Sequence, residues 1–437
     1  MRKRLVALAL GVMLLLGAAP CESKAEENAK RIETKITFLN SDLSSPLGDD
    51  SLETVINVKE EQNLTVTSSE AFRGIYIIWN YIPSKEATLS YNGKSIKIAE
   101  KGFVHEYVPL EEATTECTIT FSEAGEIAEI HAFSEGILPS EVQVWENMDK
   151  EADVMVFPAF AFHEALFFGG PIANYASAGY KVQVMFMAGY TDSGSIGRIH
   201  EELNSLWEMG VKWYPINANQ SELYSKTEEE AKIQYNEGAI ITAVENAITK
   251  YEPLVVVGQD FAGEDGSAVH KLWAGILVKA LDGLKSQSGW VPQKVYVHRY
   301  EENAMVLDVS NTLETITRAY EKHTTQAFRK IAPTSDVEDP LNCVAFGLYR
   351  TEVGIDTTND MMEHVQMRVQ EEEPTPSETE SSDPVGQVTA IQDVKEEGTN
   401  ILEIVSVIFI GIGVAILSGV GMYTLAWRIR EKKRNME

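Results

Sequence analysis

A long apolar stretch near the C-terminus constrains most strongly what this chain can fold into. Residues 404–427 contain no charged side chain, and a helix of that length crosses a hydrocarbon core of ~30 Å. Arg428 and four further basic residues follow within 428–437, a flank that the positive-inside rule assigns to the cytoplasm. The sequence therefore predicts a transmembrane helix at 404–427, a basic cytoplasmic tail at 428–437, and a body outside the cytoplasm.

Small residues recur along one face of this predicted helix. Gly411, Ala415 and Gly419 are spaced four apart, which permits close approach of a second helix and weak helix–helix self-association. The alternative is the ordinary Gly and Ala content of a single-span anchor, which the sequence alone favours.

The N-terminus has the three-part pattern of an export signal. Three basic residues precede an apolar run over 5–19, and small and polar residues continue to Ala25. This pattern predicts a secretory signal peptide over 1–25, since the run is too short to span a bilayer comfortably. Cys21 suggests an alternative lipoprotein signal, which Pro20 disfavours. The two ends together predict a single-pass protein of the cell membrane with an extracytoplasmic ectodomain.

The charge of the chain excludes one class of partner. Its formal net charge is −29, and residues 1–25 and 428–437 each carry +3, which leaves about −35 for the remainder. A nucleic-acid partner is not expected, because phosphates require Lys and Arg for neutralisation. Beyond the signal, Cys117 and Cys343 are the two cysteines. An oxidising compartment permits a disulfide, and the sequence leaves open whether they pair.

Residues 35–145 predict a small antiparallel β-sandwich. Short β-rich runs alternate with Gly, Pro, Asn and Ser-Glu clusters at the spacing of such a module. Modules of this kind often bind sugars through exposed aromatic side chains, which makes Trp79 and Tyr81 candidate glycan contacts. The alternative is that their period-2 spacing places them in the core of the sheet.

From residue 150 onward the pattern changes to strand followed by helix. The predicted strands are 153–157, 181–188, 211–216, 254–258 and 294–300, and the predicted helices include 171–178, 237–251 and 267–284. This alternation predicts an α/β domain with a Rossmann-like open parallel sheet over 150–355. Functional groups are then expected at the carboxyl ends of the strands. Residues 371–400 carry nine acidic residues and one Lys, which predicts an acidic disordered linker.

Five segments of the α/β domain carry a family resemblance. They are VMVFPAFAFHEALFFGG (154–170), RIHEELNSLWEMGV (198–211), GEDGSAVH (263–270), YVHRYEEN (296–303) and FGLYRTEVG (346–354). In order and spacing they resemble the PIG-L/LmbE-like family of zinc-dependent de-N-acetylases. The resemblance implies that family's α/β fold and, for an active member, hydrolysis of an N-acetylated amino sugar of the GlcNAc type.

The family's catalytic residues can be carried over position by position. In such enzymes zinc is held by the first His and second Asp of a His-x-Asp-Asp-Glu motif and by a later His, and the first Asp is the general base. The first ligand falls on Phe160, the base on Phe162 and the second ligand on His163. The later ligand is retained as His270, and a second His of that segment, assigned to substrate contacts, falls on Ser267.

This pattern implies a degraded site. A phenyl ring can neither ligate zinc nor accept a proton, and catalytic zinc requires three protein ligands and a water. Only His163 and His270 remain as metal candidates. A rebuilt site would need a further ligand from Glu164, Glu264 or His200, although the family role of Glu164 is structural support.

Two main functions remain open at this point, beside a weaker third in which the β-sandwich carries the binding and the α/β domain is a spacer. The first is a pseudoenzyme without a cofactor that binds a cell-surface glycan or another surface partner, with Glu164, Arg198, His200 and Ser267 as polar contacts around an apolar floor. The second is an active N-deacetylase with a rebuilt zinc site. The rings at 160 and 162 either form that floor or simply fill the void left by the metal.

Overall fold

The computed structural model describes residues 27–38, 41–188, 196–220, 225–264, 266–323 and 340–368. The predicted signal peptide, acidic linker, transmembrane helix and basic tail lie outside these ranges. Of the helices that the ranges contain, none has the length and apolar character needed to cross a membrane.

Nine antiparallel strands form the N-terminal part of the described chain, here named the β module (residues 27–145). They are β1 (Arg31–Ile32), β2 (Lys35–Phe38), β3 (Ser41–Asp42), β4 (Ile56–Val58), β5 (Asn63–Tyr81), β6 (Ala87–Tyr91), β7 (Lys94–Ile98), β8 (His105–Thr120) and β9 (Gly125–Phe133). Hydrogen bonds join all nine into one sheet with the central order β1-β9-β5-β8-β6-β7. The pairing of β5 with β8 shifts register between Thr67 and Gly74, and bulges of this kind bend a long strand.

Apolar side chains from both halves of β5 share one core in the β module. Leu64 and Trp79 are both fully buried in it, and the indole N–H of Trp79 donates to Glu106 Oε2 at 3.0 Å. Trp79 is therefore a core residue and not the glycan contact considered from the sequence, whereas Tyr81 is exposed. Cys117 lies in this core and Cys343 in a core of the α/β part, and the two do not form a disulfide.

The second sheet has seven strands and is flanked by helices. Its strands are β10 (Val154–Val156), β11 (Val182–Ala188), β12 (Ile216–Gln220), β13 (Val255–Gly258), β14 (Lys294–His298), β15 (Ala304–Val306) and β16 (Ala345–Thr351). The helices are α1 (His163–Leu166), α2 (Gly169–Ser177), α3 (Ile196–Glu208), α4 (Glu228–Gln234), α5 (Glu237–Tyr251), α6 (Ala268–Ser286) and α7 (Leu313–Glu321). The mixed α/β class predicted from the sequence is confirmed.

The order of the second sheet is β12-β11-β10-β13-β14-β16-β15. Its first five strands are parallel, and β16 and β15 complete the sheet as antiparallel strands. Strands β10, β11 and β13 are buried along their whole length, as expected for parallel strands covered on both faces. Because these strands are parallel, their carboxyl ends lie at one edge of the sheet, where the loop that carries Phe160 and the loop that carries Glu264 begin.

The predicted strand at 211–216 is wrong, because the strand begins only at Ile216. The apolar residues before it pack against the β module. Tyr214 stacks on Phe103 with 4.7 Å between ring centroids, and its hydroxyl accepts a hydrogen bond from the Val104 N–H at 3.2 Å. Their apolar character therefore reflects contact with the β module and not a strand.

The Gly-Gly pair at the start of α2 permits close packing. A Cβ atom at Gly170 would lie 2.4 Å from the Cys343 carbonyl oxygen, and one at Gly169 would lie 2.6 Å from Ile316 Cγ2. Both distances are shorter than a van der Waals contact, so only glycine lets this helix approach α7 and the turn before β16 so closely.

Candidate functional site

The loop after β10 places two phenylalanine rings where the family motif has a ligand and a base. Phe160 is 8% exposed and Phe162 is 4% exposed. Phe162 has φ 70° and ψ −21°, in the left-handed region, which is uncommon for a bulky residue and is kept only where the surroundings enforce it. The chain then turns directly into α1, which begins at His163.

The predicted metal residues lie together at the carboxyl ends of the strands. Helix α6 brings His270 against α1, so that the ring centroids of His163 and His270 are 4.7 Å apart. Phe160 lies 5.5 Å from the ring of His163 and 5.7 Å from that of His270. Phe162 contacts His163 edge-on at 4.4 Å. Two histidines and two phenyl rings thus form one buried aromatic cluster.

The side chains proposed to rebuild a zinc site are each engaged elsewhere. Glu164 Oε1 is paired with His323 Nε2 at 2.6 Å. His200 Nδ1 is hydrogen-bonded to His105 Nε2 at 2.9 Å. A catalytic zinc ion needs three protein donors that converge on one point.

Among the described residues, neither retained histidine belongs to a group of three converging metal-ligand side chains. The one such group in that part of the chain is Asp50, Glu129 and His131 in the β module. Among the described side chains, His163 and His270 therefore supply only two of the three protein donors that a catalytic zinc ion requires.

Glu264, the third candidate, belongs to a buried hydrogen-bonded chain. His298 Nε2 donates to the Asn342 carbonyl oxygen at 2.5 Å, because a carbonyl can only accept. His298 Nδ1 is hydrogen-bonded to the Glu264 carboxyl group. Glu264 Oε1 also accepts from the Asp260 N–H at 3.0 Å. The chain ties the loop after β13 to the end of β14, which is a structural role.

Glu164 of α1 and Glu201 and Glu202 of α3 are buried carboxylic acid side chains. Burial raises the pKa of Glu202 well above its usual range, the Glu164 carboxylate raises it further, and Arg198 opposes the rise. His323 lies between Glu164 and Glu201, at 2.6 Å and 4.0 Å respectively. Glu164 thus joins α1 to the end of α7 and to α3, in agreement with the structural role that the resemblance implies.

The remaining predicted contacts lie at two helix starts. Ser267 immediately precedes α6, and Arg198 lies in the first turn of α3; both are partly exposed. His200, two residues further along α3, is buried against the β module. Arg198 and Ser267 are therefore partly accessible to solvent, whereas His200 is enclosed between α3 and the β module.

A buried chain through His105 was not predicted from the sequence. Tyr76 OH lies 2.7 Å from His105 Nδ1, and His105 Nε2 lies 2.9 Å from His200 Nδ1. Burial lowers the pKa of His105 well below its usual range and lowers that of His200 to about 4. Both rings are therefore neutral at neutral pH and join the β module to α3 through a hydrogen bond.

An aromatic cluster near the β13 loop was also not predicted. Phe261 is 36% exposed, and its ring lies 5.7 Å from that of Tyr300 and 5.0 Å from that of Tyr349. All three rings meet edge to face, and the Arg350 guanidinium covers Tyr349 at 4.8 Å. The only sequence signal was the presence of Tyr300 and Tyr349 in motif-like segments.

Comparisons with known proteins give fold-level similarities. No protein-family model matches the sequence, and no curated protein matches it. The N,N'-diacetylchitobiose deacetylase from Pyrococcus horikoshii, in complex with its inhibitor MPG, is 15% identical to this chain with a TM-score of 0.34. The match covers 46% of this chain and 78% of that chain. The 4-carboxy-2-hydroxymuconate hydratase GalB of Pseudomonas putida is 15% identical with a TM-score of 0.31, over 46% and 95%. The zinc-inhibited form of teicoplanin deacetylase is 11% identical with a TM-score of 0.32, over 43% and 90%.

Proposed function

We propose that this chain is a membrane-anchored extracytoplasmic protein with a PIG-L/LmbE-like α/β domain that does not hydrolyse its ligand. In this proposal the domain binds a glycan or another partner at the cell surface. Support comes from the five motif-like segments, three of which include residues of the loops that follow the parallel strands β10, β13 and β14. The export signal and the apolar stretch at 404–427 support the location.

The packing of Phe160 and Phe162 carries the proposal. Phe160 contacts His163 and His270 from the position of the missing ligand, and Phe162 contacts His163 from the position of the base. Neither ring offers a lone pair to a metal or accepts a proton from water. With phenylalanine at both positions, the site lacks both a zinc ligand and the base that would activate water.

A glycan is the partner class that the surface chemistry favours. The Phe261 ring is partly exposed, and Arg198 and Ser267 offer polar groups on partly exposed helix starts. Sugar recognition combines apolar faces with a few directional polar groups. A glycan array should show binding by the wild-type protein that Phe261→Ala and Arg198→Ala each weaken. Equal binding by both variants and the wild type would point to another partner or another surface.

The second candidate is an active metal-dependent N-deacetylase. One observation favours it, the distance of 4.7 Å between the ring centroids of His163 and His270. Zinc content of the purified protein separates the candidates. Zinc that is retained by the wild type and lost in His270→Ala would support the active enzyme, and equal zinc in both proteins supports the non-hydrolytic one.

Restoring the family residues tests the same point from the opposite direction. The double variant Phe160→His, Phe162→Asp supplies the missing ligand and base beside His163 and His270. We expect it to bind zinc that the wild type does not bind at this site, since three protein donors then converge. If the wild type already binds zinc there, the restored variant will show no gain and the proposal fails.

The membrane anchor is tested by fractionation. The full-length chain should remain with membranes after a high-salt wash, and a chain ending before residue 404 should be released. An anchor that does not depend on 404–427 would leave both forms in the same fraction.

A further inference from the structure

A second cluster of metal-ligand side chains lies in the β module, outside the site described above. Asp50, Glu129 and His131 each offer one ligand atom, and these atoms all lie within 4.8 Å of one another. Glu129 and His131 are two residues apart on β9, so their side chains leave the same face of the strand. Asp50 comes from the loop after β3. The three ligands therefore come from a rigid strand and a loop that covers it.

The spacing of the donors suits a small divalent ion. His131 Nε2 lies 3.4 Å from Glu129 Oε2 and 3.6 Å from Asp50 Oδ1. A tetrahedral ion with ligand distances of about 2.0–2.2 Å separates neighbouring ligand atoms by about 3.3–3.6 Å. One nitrogen and two carboxylate oxygens are the donors of zinc and related transition metals, whereas calcium and magnesium prefer oxygen alone.

A buried carboxylate oxygen points independently to a cation site. Glu129 is 1% exposed, and its Oε2 atom has no hydrogen-bond partner among the described residues. Its Oε1 atom accepts from the Ser51 N–H at 2.9 Å. A cation bound beside Oε2 would satisfy this buried oxygen, as buried polar groups require.

The cation already present does not fill this role. Arg31 NH1 lies 2.6 Å from Asp50 Oδ1, and both side chains are substantially exposed. Exposed pairs of this kind contribute little to stability, so a metal ion can displace the guanidinium from Asp50. A cavity of about 520 Å³ bordered by Arg31, Gly48 and His131 gives an ion access from solvent.

We propose that Asp50, Glu129 and His131 bind a divalent transition-metal ion of the zinc class, with the fourth position open to water. The ion would fasten the loop of residues 47–51 to β9. This loop is already held by the Ile130 N–H, which donates to the Leu47 carbonyl oxygen at 2.9 Å. The site is structural and does not depend on the function proposed for the α/β domain.

The test is a zinc titration of the full-length protein after chelator treatment, with competition by a chromophoric chelator to measure affinity. We expect one zinc ion to be bound at this site and to raise the melting temperature of the wild type. His131→Gln and Asp50→Asn should each weaken zinc binding by more than about 100-fold. Loss of an outer-shell partner weakens metal binding by about 100-fold at most, so a larger loss identifies a direct ligand. The matched control His364→Gln removes an exposed histidine outside the site and should bind like the wild type.

Two further variants separate ligation from simple folding effects. Glu129→Gln should keep or raise the melting temperature of the metal-free protein, because it removes a buried charge, and should abolish the rise caused by zinc. Arg31→Gln should bind zinc as tightly as the wild type or more tightly, because it removes a competing cation. Zinc affinity that is unchanged in both His131→Gln and Asp50→Asn would overturn the proposal. A wild type without zinc binding would overturn it as well.

Discussion

Truncation of Phe160 tests whether this ring belongs to a packed core or to an open pocket floor. The ring is 8% exposed and contacts the rings of both His163 and His270. A buried Phe→Ala change costs about 3–5 kcal/mol, because apolar contact is lost and a cavity remains. We therefore expect Phe160→Ala to lower the free energy of unfolding by about 3–5 kcal/mol.

The measurement is urea denaturation followed by the fluorescence of the α/β part, with Phe261→Ala as the matched control. Phe261 is a phenylalanine of the same domain that is 36% exposed, so its truncation should cost less than about 1 kcal/mol. A loss below about 1 kcal/mol for Phe160→Ala as well would refute the packed-core interpretation. The ring would then line a pocket that solvent or a ligand already fills.

At Phe162, two residues further along the chain, glycine and alanine variants should rank in the reverse of their usual order of stability. Its φ of 70° lies in the left-handed region, where glycine is unstrained and alanine is not. Phe162→Ala should lose about 3–5 kcal/mol, and Phe162→Gly should be more stable than Phe162→Ala by about 1 kcal/mol. At an ordinary position glycine would be the less stable of the two. That ordinary order would show that the loop relaxes away from its present conformation.

Three further predictions concern stability. Burial lowers the pKa of His200 to about 4, so the unfolded chain takes up a proton at a higher pH than the folded protein does. The stabilisation is therefore fully present above pH ~6.5, and on the order of 3 kcal/mol of it is lost as the pH falls towards ~4. Urea midpoints measured across this range should fall less in His200→Gln than in the wild type. Lys294 is fully buried and ion-paired with Asp356, so Asp356→Asn should lower the free energy of unfolding by about 3–5 kcal/mol, and an unchanged urea midpoint would contradict the pairing. Gly170→Ala should cost about 1–3 kcal/mol by overpacking, since its Cβ would lie 2.4 Å from a backbone carbonyl oxygen, and a thermal melt like that of the wild type would show that α2 can shift.

Much of the α/β part could be predicted because local pattern and tertiary environment agree there. Helix α5 occupies the predicted range Glu237–Tyr251, where an Asn236 cap and an apolar face give the same signal. The start of strand β12 was predicted too early, because Tyr214 packs against the β module and does not belong to the sheet. Strand β5 continues through the polar residues at 68–70 with a register shift between Thr67 and Gly74, where the expected pattern of short β-rich runs does not indicate one long strand.

The site was predictable only as far as its motif extends. The motif-like segments singled out His163 and His270, and the structure places their ring centroids 4.7 Å apart at the starts of α1 and α6. The hydrogen bond of His200 to His105 joins positions 95 residues apart, and no periodicity of either segment indicates it. The cluster around Glu129 was missed for the same reason, since its ligands come from a strand and a distant loop that only the tertiary fold brings together.

Acetate release is the most direct test of the central claim, that phenylalanine rings have replaced the metal ligand and the base. The full-length protein is incubated with excess zinc and with N-acetylated amino sugars and their oligomers, and His270→Ala serves as the background. We expect the wild type to release no more acetate than His270→Ala does. Acetate release by the wild type that disappears in His270→Ala would contradict the claim and establish an active deacetylase.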